Sequence, residues 1–359
     1  MNSPANPASF YQRQILLKEI GEQGQIKLSA ARVLILGAGG LGHPVAAYLA
    51  GAGVGHITIC DDDHVEESNL HRQVLFHYED IGKSKAKVLG ERISQQNPLI
   101  EINSISQKLT PDNVAQHLEN IDLIVDCCDN FATKFLLHDS AFLFSKDLVQ
   151  ASIYQMEGQL QIFPFRTRGR DQGCLRCLWP TIPSANSVGN CAQAGVIGAV
   201  PGVLGCLQAM EAIKLICGIG KTPSTATTTF NLLTLQTDTL KWRKLKHCVL
   251  CSDSPSITGI HAHEYQTDSS FELSEVNPQE FALIDLRSSA ERGQAPTQAP
   301  SKHLPSSEFE QWKEQISHTE NTLFLCQKGF RSADITQRMR TLGYTNCYSL
   351  KGGLADTKI

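Results

Sequence analysis

Between residues 60 and 76 the chain reads CDDDHVEESNLHRQVLF: three consecutive acids, a short acidic loop, then a carboxamide, a guanidinium and a second carboxamide. Just before it, RVLILGAGGLG at 32–42 carries Gly37, Gly39 and Gly42 in the G-x-G-x-x-G spacing, which lets bare backbone and a helix N-terminus approach phosphate. Alone, that motif most often marks a dinucleotide-binding dehydrogenase, with one acid about 20 residues on for the ribose. Asp61 fits that slot. Asp63, Ser68, Asn69, Arg72 and Gln73 exceed what a nicotinamide site needs. They suit a triphosphate, because guanidinium, ammonium and amide donors stabilise charge moving onto phosphate oxygens during phosphoryl or adenylyl transfer. Lys85 in GKSKAK and the pair Asp129-Asn130 complete such a set. Asp129 would lie at the carboxyl end of a strand, where α/β sheets bind ligands, and an acid there can hold Mg²⁺. Each of these residues alone reads more easily as a solvated loop or a surface charge. Together, on successive strand ends, they read as one site.

The cysteines form a second group. Cys174-Leu-Arg-Cys177 and Cys248-Val-Leu-Cys251 offer two thiolates each, and two such pairs fill the four corners of a closed, structural zinc site. A redox-active CxxC or plain packing thiols are the competing readings. Cys191, in NCAQAGVIG, follows the polar loop SANSVGN and precedes a predicted helix, the setting of a nucleophilic thiol. Cys326 stands between the strand Leu323 to Leu325 and a loop ending at Arg331 and Ser332, ahead of an amphipathic helix. That geometry aims loop N–H groups and a helix N-terminus at one sulfur, which suits an anionic persulfide. Cys60, Cys127, Cys128, Cys206, Cys217 and Cys347 sit in apolar or unremarkable contexts and read as buried packing thiols.

The elements that must carry these groups follow from periodicity. Val33 to Leu36 reads as a buried strand, a helix starts near His43, and HITIC at 56–60 is the next strand. A helix from about Ser84 to Gln95, a strand near Ile100 to Ser106, a helix from Asp112 to Leu118 and the strand DLIVDCCD at 122–129 continue the alternation. The expected fold is α/β: a Rossmann-like, open, mostly parallel sheet with helices on both faces, followed by a smaller α/β domain. The polar, turn-rich stretch SDSPSITGIHAHEYQTDSS divides the chain into 1–251, a linker over 252–270, and 271–359.

Size and charge bound the function. With 359 residues, 41% hydrophobic and 19% charged, the chain supports two ordinary cores. A net charge of -4 and a pI near 6.3 give no basic field for nucleic acid. The longest apolar stretch, Gly195 to Leu207, is interrupted by Pro201 and too short to span a bilayer, and the polar N-terminus lacks an apolar signal core. A cytoplasmic location, with neither nucleic acid nor membrane as a partner, is the expectation. Twelve cysteines there argue for metal or thiol chemistry over disulfides.

Several long runs carry a resemblance: FYQRQILLKEIGEQGQIKLSAARVLILGAGGLG, DDDHVEESNLHRQ, GKSKAK, DCCDNFATK and CAQAGVIGAVPGVLGCLQAMEAIK. Over roughly residues 9 to 251 the chain resembles the MoeB/ThiF/HesA family of ubiquitin-activating-type adenylyltransferases. The resemblance implies that ATP sits over the glycine turn and that the C-terminal carboxylate of a ubiquitin-like sulfur carrier, MoaD-type or ThiS-type, attacks its α-phosphate. It implies that Gly40, Asp61, Asn69, Arg72, Lys85, Asp129 and Asn130 bind ATP or its magnesium, and that Arg13 reaches into the site of a partner subunit in a homodimer. It also implies the structural zinc, and a cysteine at position 191 that can link covalently to the carrier. Lys134 departs from the family's DNxxxR pattern: a charge is kept but a bidentate contact would be lost. The C-terminal part resembles a rhodanese-like domain through CQKGFRS, ALIDLRSSAER and LKGGL. It departs where APTQAPSKHLP replaces the usual IPGA segment and where the customary tryptophan after Gly-Gly is missing. The resulting expectation is a carrier adenylyltransferase fused to a sulfur donor module, supplied by a donor such as a cysteine desulfurase, in molybdenum cofactor or thiamine biosynthesis. A non-catalytic carrier-binding scaffold and an NAD-dependent oxidoreductase are the rival classes.

Overall fold

The computed structural model describes residues 6–169, 171–183, 195–265 and 271–355. The chain divides into two compact units, the first reaching to Tyr265 and the second holding the sheet that begins at Glu272.

The first unit is built on eight strands in the order β3-β2-β1-β4-β5-β6-β7-β8. They are β1 (Arg32–Leu36), β2 (His56–Cys60), β3 (Glu101–Ile105), β4 (Leu123–Asp126), β5 (Asp147–Tyr154), β6 (Glu157–Pro164), β7 (Ala226–Asn231) and β8 (Gln236–Lys241). The first five in sequence pair in parallel, and the last three attach antiparallel. Successive strand residues point to opposite faces. Val33 and Ile35 enter a core shared with α1 (Gly21–Ala30), α2 (Gly42–Gly51), α3 (Lys85–Gln96) and a later long helix. Leu34 and Ile124 are equally buried, and α4 (Phe131–Leu143) packs on β4 and β5. Burial on both faces explains why β1 is a continuous apolar run.

That long helix is α5, Ala199–Cys217. Pro201 does not interrupt it: it occupies the third helical position, where its missing N–H is one of those a helix leaves unpaired. By length and composition α5 could cross a membrane, yet half of its apolar window is buried and it packs on β5, β6 and α2. The helix ends at Gly218, whose left-handed φ of 72° forms the C-cap.

The strand expected over 122–129 stops at Asp126, and the last acid, Asp129, belongs to a loop entering α4. Of the stretch expected to be a linker, 252–265 stays with the first unit, where Tyr265 is buried and donates its hydroxyl to Asp139 at 3.2 Å.

In the second unit five short strands, all parallel, lie in the order β11-β10-β12-β13-β9. They are β9 (Glu272–Leu273), β10 (Ala282–Asp285), β11 (Lys302–His303), β12 (Thr322–Leu325) and β13 (Cys347–Leu350). The helices α6 (Ser289–Gln294) and α7 (Phe330–Thr341) follow β10 and β12.

Candidate active sites and a four-thiol cluster

The glycine turn is fixed by register. Leu36, Cys60 and Asp126 pair at the carboxyl ends of β1, β2 and β4. Gly37 N–H donates to the Cys60 carbonyl at 2.9 Å and Cys127 N–H to the Leu36 carbonyl at 2.8 Å. Gly37 takes φ +99°, and a Cβ there would meet the Cys127 carbonyl at 2.7 Å. A Cβ on Gly42 would meet the Gly37 carbonyl at 2.1 Å, so the turn accepts no larger residue at either place.

Asp61 reaches back to this turn. Its Oδ2 accepts from Ala38 N–H at 2.6 Å and its Oδ1 from Asp63 N–H at 2.8 Å. Burial pushes its carboxyl up, and those two N–H groups pull the other way. Gln73 is buried with Nε2 beside Gly39, 3.9 Å from where its Cβ would be, and the Arg72 carbonyl lies beside Gly40. Asn69 Oδ1 and Gln73 Oε1 are buried with no hydrogen-bond partner among the described residues. Unpaired amide oxygens cost about 1–3 kcal/mol each, so they mark a place that a ligand or water must satisfy.

Lys85 is ion-paired within the protein and Arg72 is held by a backbone carbonyl. Lys85, buried at the start of α3, donates to Asp63 Oδ2 at 2.9 Å. Arg72 Nη1 donates to the Ser68 carbonyl at 2.8 Å, and the Ser68 hydroxyl to Glu66. Carboxylate oxygens of Asp61, Asp62 and Asp63 lie within 4.8 Å of one another. Asp129 is exposed in the loop ahead of α4. Asn130 is its N-cap, with Oδ1 accepting from Thr133 N–H at 2.9 Å. Arg13 is exposed on the short helix Gln12–Ile15. Cys191 lies outside the described residues.

Two supporting groups escaped the sequence reading. Asp126, fully buried at the end of β4, accepts from Lys134 Nζ at 3.1 Å and from Gln150 Nε2 at 2.7 Å on Oδ2. Its Oδ1 accepts from Cys128 N–H at 2.9 Å. Lys134 also donates to the Ala151 carbonyl at 2.6 Å, so its ammonium is committed to the core. Burial pushes that ammonium down, but Asp126 overrides it and its pKa stands raised. His43, fully buried at the start of α2, accepts from Leu75 N–H at 2.9 Å and so ties the 70s loop to the glycine turn. Burial lowers its pKa to about 3. The available signals were an acid closing an apolar strand, and a histidine directly after the last turn glycine.

The packing reading of the remaining thiols needs correction at two places. Cys206 is exposed on α5. Cys128 is half-buried with Sγ 2.6 Å from Asp126 Oδ1. Burial and that carboxylate raise its pKa well above the usual thiol range, so it is a poor nucleophile.

Cys174, Cys177, Cys248 and Cys251 are buried, with all four sulfurs within 4.8 Å of one another. The 174–248 and 177–251 sulfurs are 3.5 and 3.4 Å apart, and the 174–177 pair 3.9 Å. Those distances are too long for a disulfide and match the roughly 3.8 Å edge that Zn–S bonds of about 2.3 Å give a tetrahedron. Leu245 N–H donates to Cys177 Sγ, and Leu250 and Cys251 N–H groups to Cys248 Sγ. These donors favour thiolate. Arg176, between the first two cysteines, anchors the knuckle through Nη2 to Asp139 Oδ2 at 2.7 Å.

In the second unit Cys326 follows β12 directly. Its buried Sγ accepts from Ser332 N–H at 3.4 Å, in the first turn of α7, and lies 3.5 Å from the Ser332 hydroxyl. Gly329 and Gly353 both take positive φ, and a Cβ on Gly353 would meet Gly329 N at 2.4 Å. Leu354 N–H donates to the Cys326 carbonyl at 2.9 Å, so the Gly-Gly segment braces the loop.

The first unit is thus a nucleotide-binding type of α/β fold, with its polar groups gathered at the carboxyl edge of the sheet, and the second holds a cysteine under a helix N-terminus. Residues 11–251 match the ThiF family and residues 272–358 the rhodanese-like domain. The chain belongs to the ThiF family and carries a rhodanese-like domain behind it. It is 42% identical over 247 residues to the sulfur carrier protein adenylyltransferase of Thermus thermophilus, covering 68% of this chain and 91% of that one. To the adenylyltransferase and sulfurtransferase UBA4 of Yarrowia lipolytica it is 35% identical, over 96% of this chain and 91% of that one. To MOCS3 of Culex quinquefasciatus it is 43% identical, and the match spans 78% of this chain but 64% of that longer protein. Among solved structures, E. coli MccB superposes with a TM-score of 0.59 at 20% identity, over 70% of this chain and 76% of that one, a likeness of fold.

Proposed function

We propose that the first unit adenylates the C-terminal glycine of a ubiquitin-like sulfur carrier and that the second supplies sulfur to the activated carboxyl group. The observation that carries this reading is the pair of buried, unpaired amide oxygens of Asn69 and Gln73, in the loop that borders a glycine turn closed to side chains at Gly37 and Gly42. The name of one adenylyltransferase and sulfurtransferase relative, which matches 96% of the chain, supports it.

In the first step a carrier carboxylate oxygen attacks the α-phosphate of ATP, and pyrophosphate leaves with the electron pair. Gly37, Gly39, Gly40 and Gly42 leave room for the phosphates, and Asp61 takes the ribose. Ser68, Asn69, Gln73 and Asn130 orient the nucleotide. Arg72 and Lys85 meet the charge that develops, Lys85 exchanging Asp63 for phosphate. Asp129 and Asp63 would hold the magnesium ion, which neutralises phosphate charge when bound. In the second step a persulfide on Cys326 attacks the acyl carbon, and AMP leaves. Cys191 takes the acyl group or resolves the resulting acyl disulfide, releasing thiocarboxylate and leaving a protein disulfide for an external dithiol to reduce.

The same reading places zinc in the Cys174, Cys177, Cys248 and Cys251 cluster as a structural ion. It makes the protein a homodimer in which Arg13 completes the partner's site; the apolar groove of Tyr48, Val74 and Gly202 beside Gly40 supports a covered face there. A cysteine desulfurase is the proposed source of sulfur. The location is cytoplasmic, because Cys326 must stay a free thiol to be loaded. MoaD-type carriers, in molybdenum cofactor synthesis, and ThiS-type carriers, in thiamine synthesis, are the two candidates. ATP–pyrophosphate exchange against a panel of purified carriers tests the reading: exchange with one carrier and not others names it, and exchange with none sinks the adenylation step.

A further inference from the structure

In the second unit the guanidinium of Arg331 is held by a carboxylate. Its Nη1 and Nη2 donate to the two oxygens of Glu291 at 2.8 and 2.6 Å, a fork-on-fork pair. Arg331 also lies near the Cys326 sulfur, which adds to the raising of its pKa after the larger effect of Glu291. Glu291 is fixed from its other side, because Ser288 N–H donates to its Oε2 at 2.9 Å and its own N–H donates to the Ser288 hydroxyl at 3.2 Å. Arg331 first, and Ser288 N–H second, pull its carboxyl down to about 2, so it is ionised throughout the neutral range.

We propose that Glu291 is a positioning residue that sets donor specificity at Cys326: by clamping Arg331 it withholds the guanidinium a free oxyanionic donor such as thiosulfate needs. The inference rests on Cys326 being the persulfide carrier. With thiosulfate, the Cys326 thiolate attacks the outer sulfur, the new S–S bond forms, and the old S–S bond breaks with its electron pair leaving on sulfite. The donor arrives and the leaving group departs as dianions. The loop from Cys326 to Ser332 offers two cations to meet them, Lys328 and Arg331. Arg331 is engaged by Glu291, and the Glu291 carboxylate adds a like charge that repels the donor. A sulfur carried as the persulfide of another protein brings no sulfonate and does not need that guanidinium.

Glu291→Gln separates charge from structure, since glutamine also completes a capping box and keeps α6 closed. In the full-length chain we expect thiosulfate-to-cyanide sulfur transfer to rise about tenfold in kcat/KM, the scale of one charge-assisted contact, and mostly through a lower KM. Adding Arg331→Gln to Glu291→Gln should erase the gain. No gain in the single variant, or a gain that survives loss of Arg331, overturns the proposal. In parallel, the parent protein is incubated with cysteine and a cysteine desulfurase, and the Cys326 peptide is weighed for one added sulfur atom. If Cys326 takes no sulfur, the persulfide reading fails as well. If it takes sulfur and Glu291→Gln brings no thiosulfate activity, the clamp alone is wrong.

Discussion

The two units place their candidate sites alike, at the carboxyl end of a parallel strand, but build them from different materials. In the second unit the strand, the thiol, the loop and the helix that supplies the N–H run from Thr322 to Ser332 without interruption. In the first, the groups come from the glycine turn, Asp61 after β2, the 68–73 loop, Lys85 on α3 and the loop after β4, and buried side chains hold them in register. A site made of consecutive backbone tolerates change around it, whereas one assembled from separate segments depends on every buried link. Each of the following experiments presses on that difference.

The sharpest break is Cys326→Ala. Thiocarboxylate formation on the carrier, read by its mass after incubation with ATP and a sulfane donor, should vanish, while carrier-dependent pyrophosphate exchange continues unchanged. Thiocarboxylate at full rate in this variant would reduce the second unit to a docking module and move the sulfur source to another protein. Cys191→Ala should keep exchange and slow transfer.

In the first unit, Arg72→Ala or Asp129→Ala should lower pyrophosphate exchange by about 10²-fold or more, the usual loss when one positioned transition-state donor is removed. Sulfur loading of Cys326 should be untouched, because the groups that hold its sulfur come from the consecutive residues of its own loop. Near-normal exchange in either variant would show that the charge is met elsewhere.

Stability should separate the units next. Cys174→Ser and Cys248→Ser each remove one corner of the thiol cluster, and elemental analysis should show one zinc per chain in the parent and none in either variant. Because a structural zinc contributes folding energy, the variants should unfold at lower temperature. Hydrogen exchange should rise in first-unit peptides near 174–177 and 248–251 and stay constant over β10 and β12. Absence of zinc from the parent, with a reducible disulfide between Cys174 and Cys177, would favour redox chemistry instead.

The contrast also explains what could be read from the sequence. The Cys326 loop, both CxxC pairs and the glycine turn are local, so spacing alone located them, and the structure gives each the expected strand, loop or helix start. The mostly parallel sheet was legible from apolar runs alternating with helical periods. What stayed hidden is tertiary. That Asp126 in DLIVDCCD closes the strand, while Asp129 lies out in the loop, depends on Lys134 and Gln150 arriving from α4 and β5 to satisfy it. Pro201 looked like a break because its place in the helix was unknown. Exposed Cys206 sits on an apolar helix whose outward face composition cannot identify.

The mildest test uses pH, and its sign follows from burial. His43 is neutral and fully buried with a pKa near 3, against about 6.5 when the chain is unfolded. Between those values the unfolded chain binds the proton and the folded chain does not, so stability is highest above pH 6.5 and declines as pH falls toward 3. Buried His138 in the same unit is also shifted down, chiefly by burial, and adds in the same direction. The second unit behaves differently in the upper part of this window. Its Glu291 is held at about 2, so its contribution is present above the ordinary carboxylate range and fades only as pH drops through that range toward 2. Lowering pH from 7 to 5 should therefore cut the hydrogen-exchange protection factors, rates corrected for the intrinsic slowing of amide exchange in acid, across β1, β2 and α2 by about tenfold, roughly one pH unit of linkage after partial compensation, and leave those of β10 and β12 nearly unchanged. His43→Gln, whose amide oxygen can still accept from Leu75 N–H, should flatten the first-unit slope. If both units lose protection in parallel, or the variant keeps the parent's slope, the first site does not owe its acid sensitivity to the histidine that ties the 70s loop to the glycine turn.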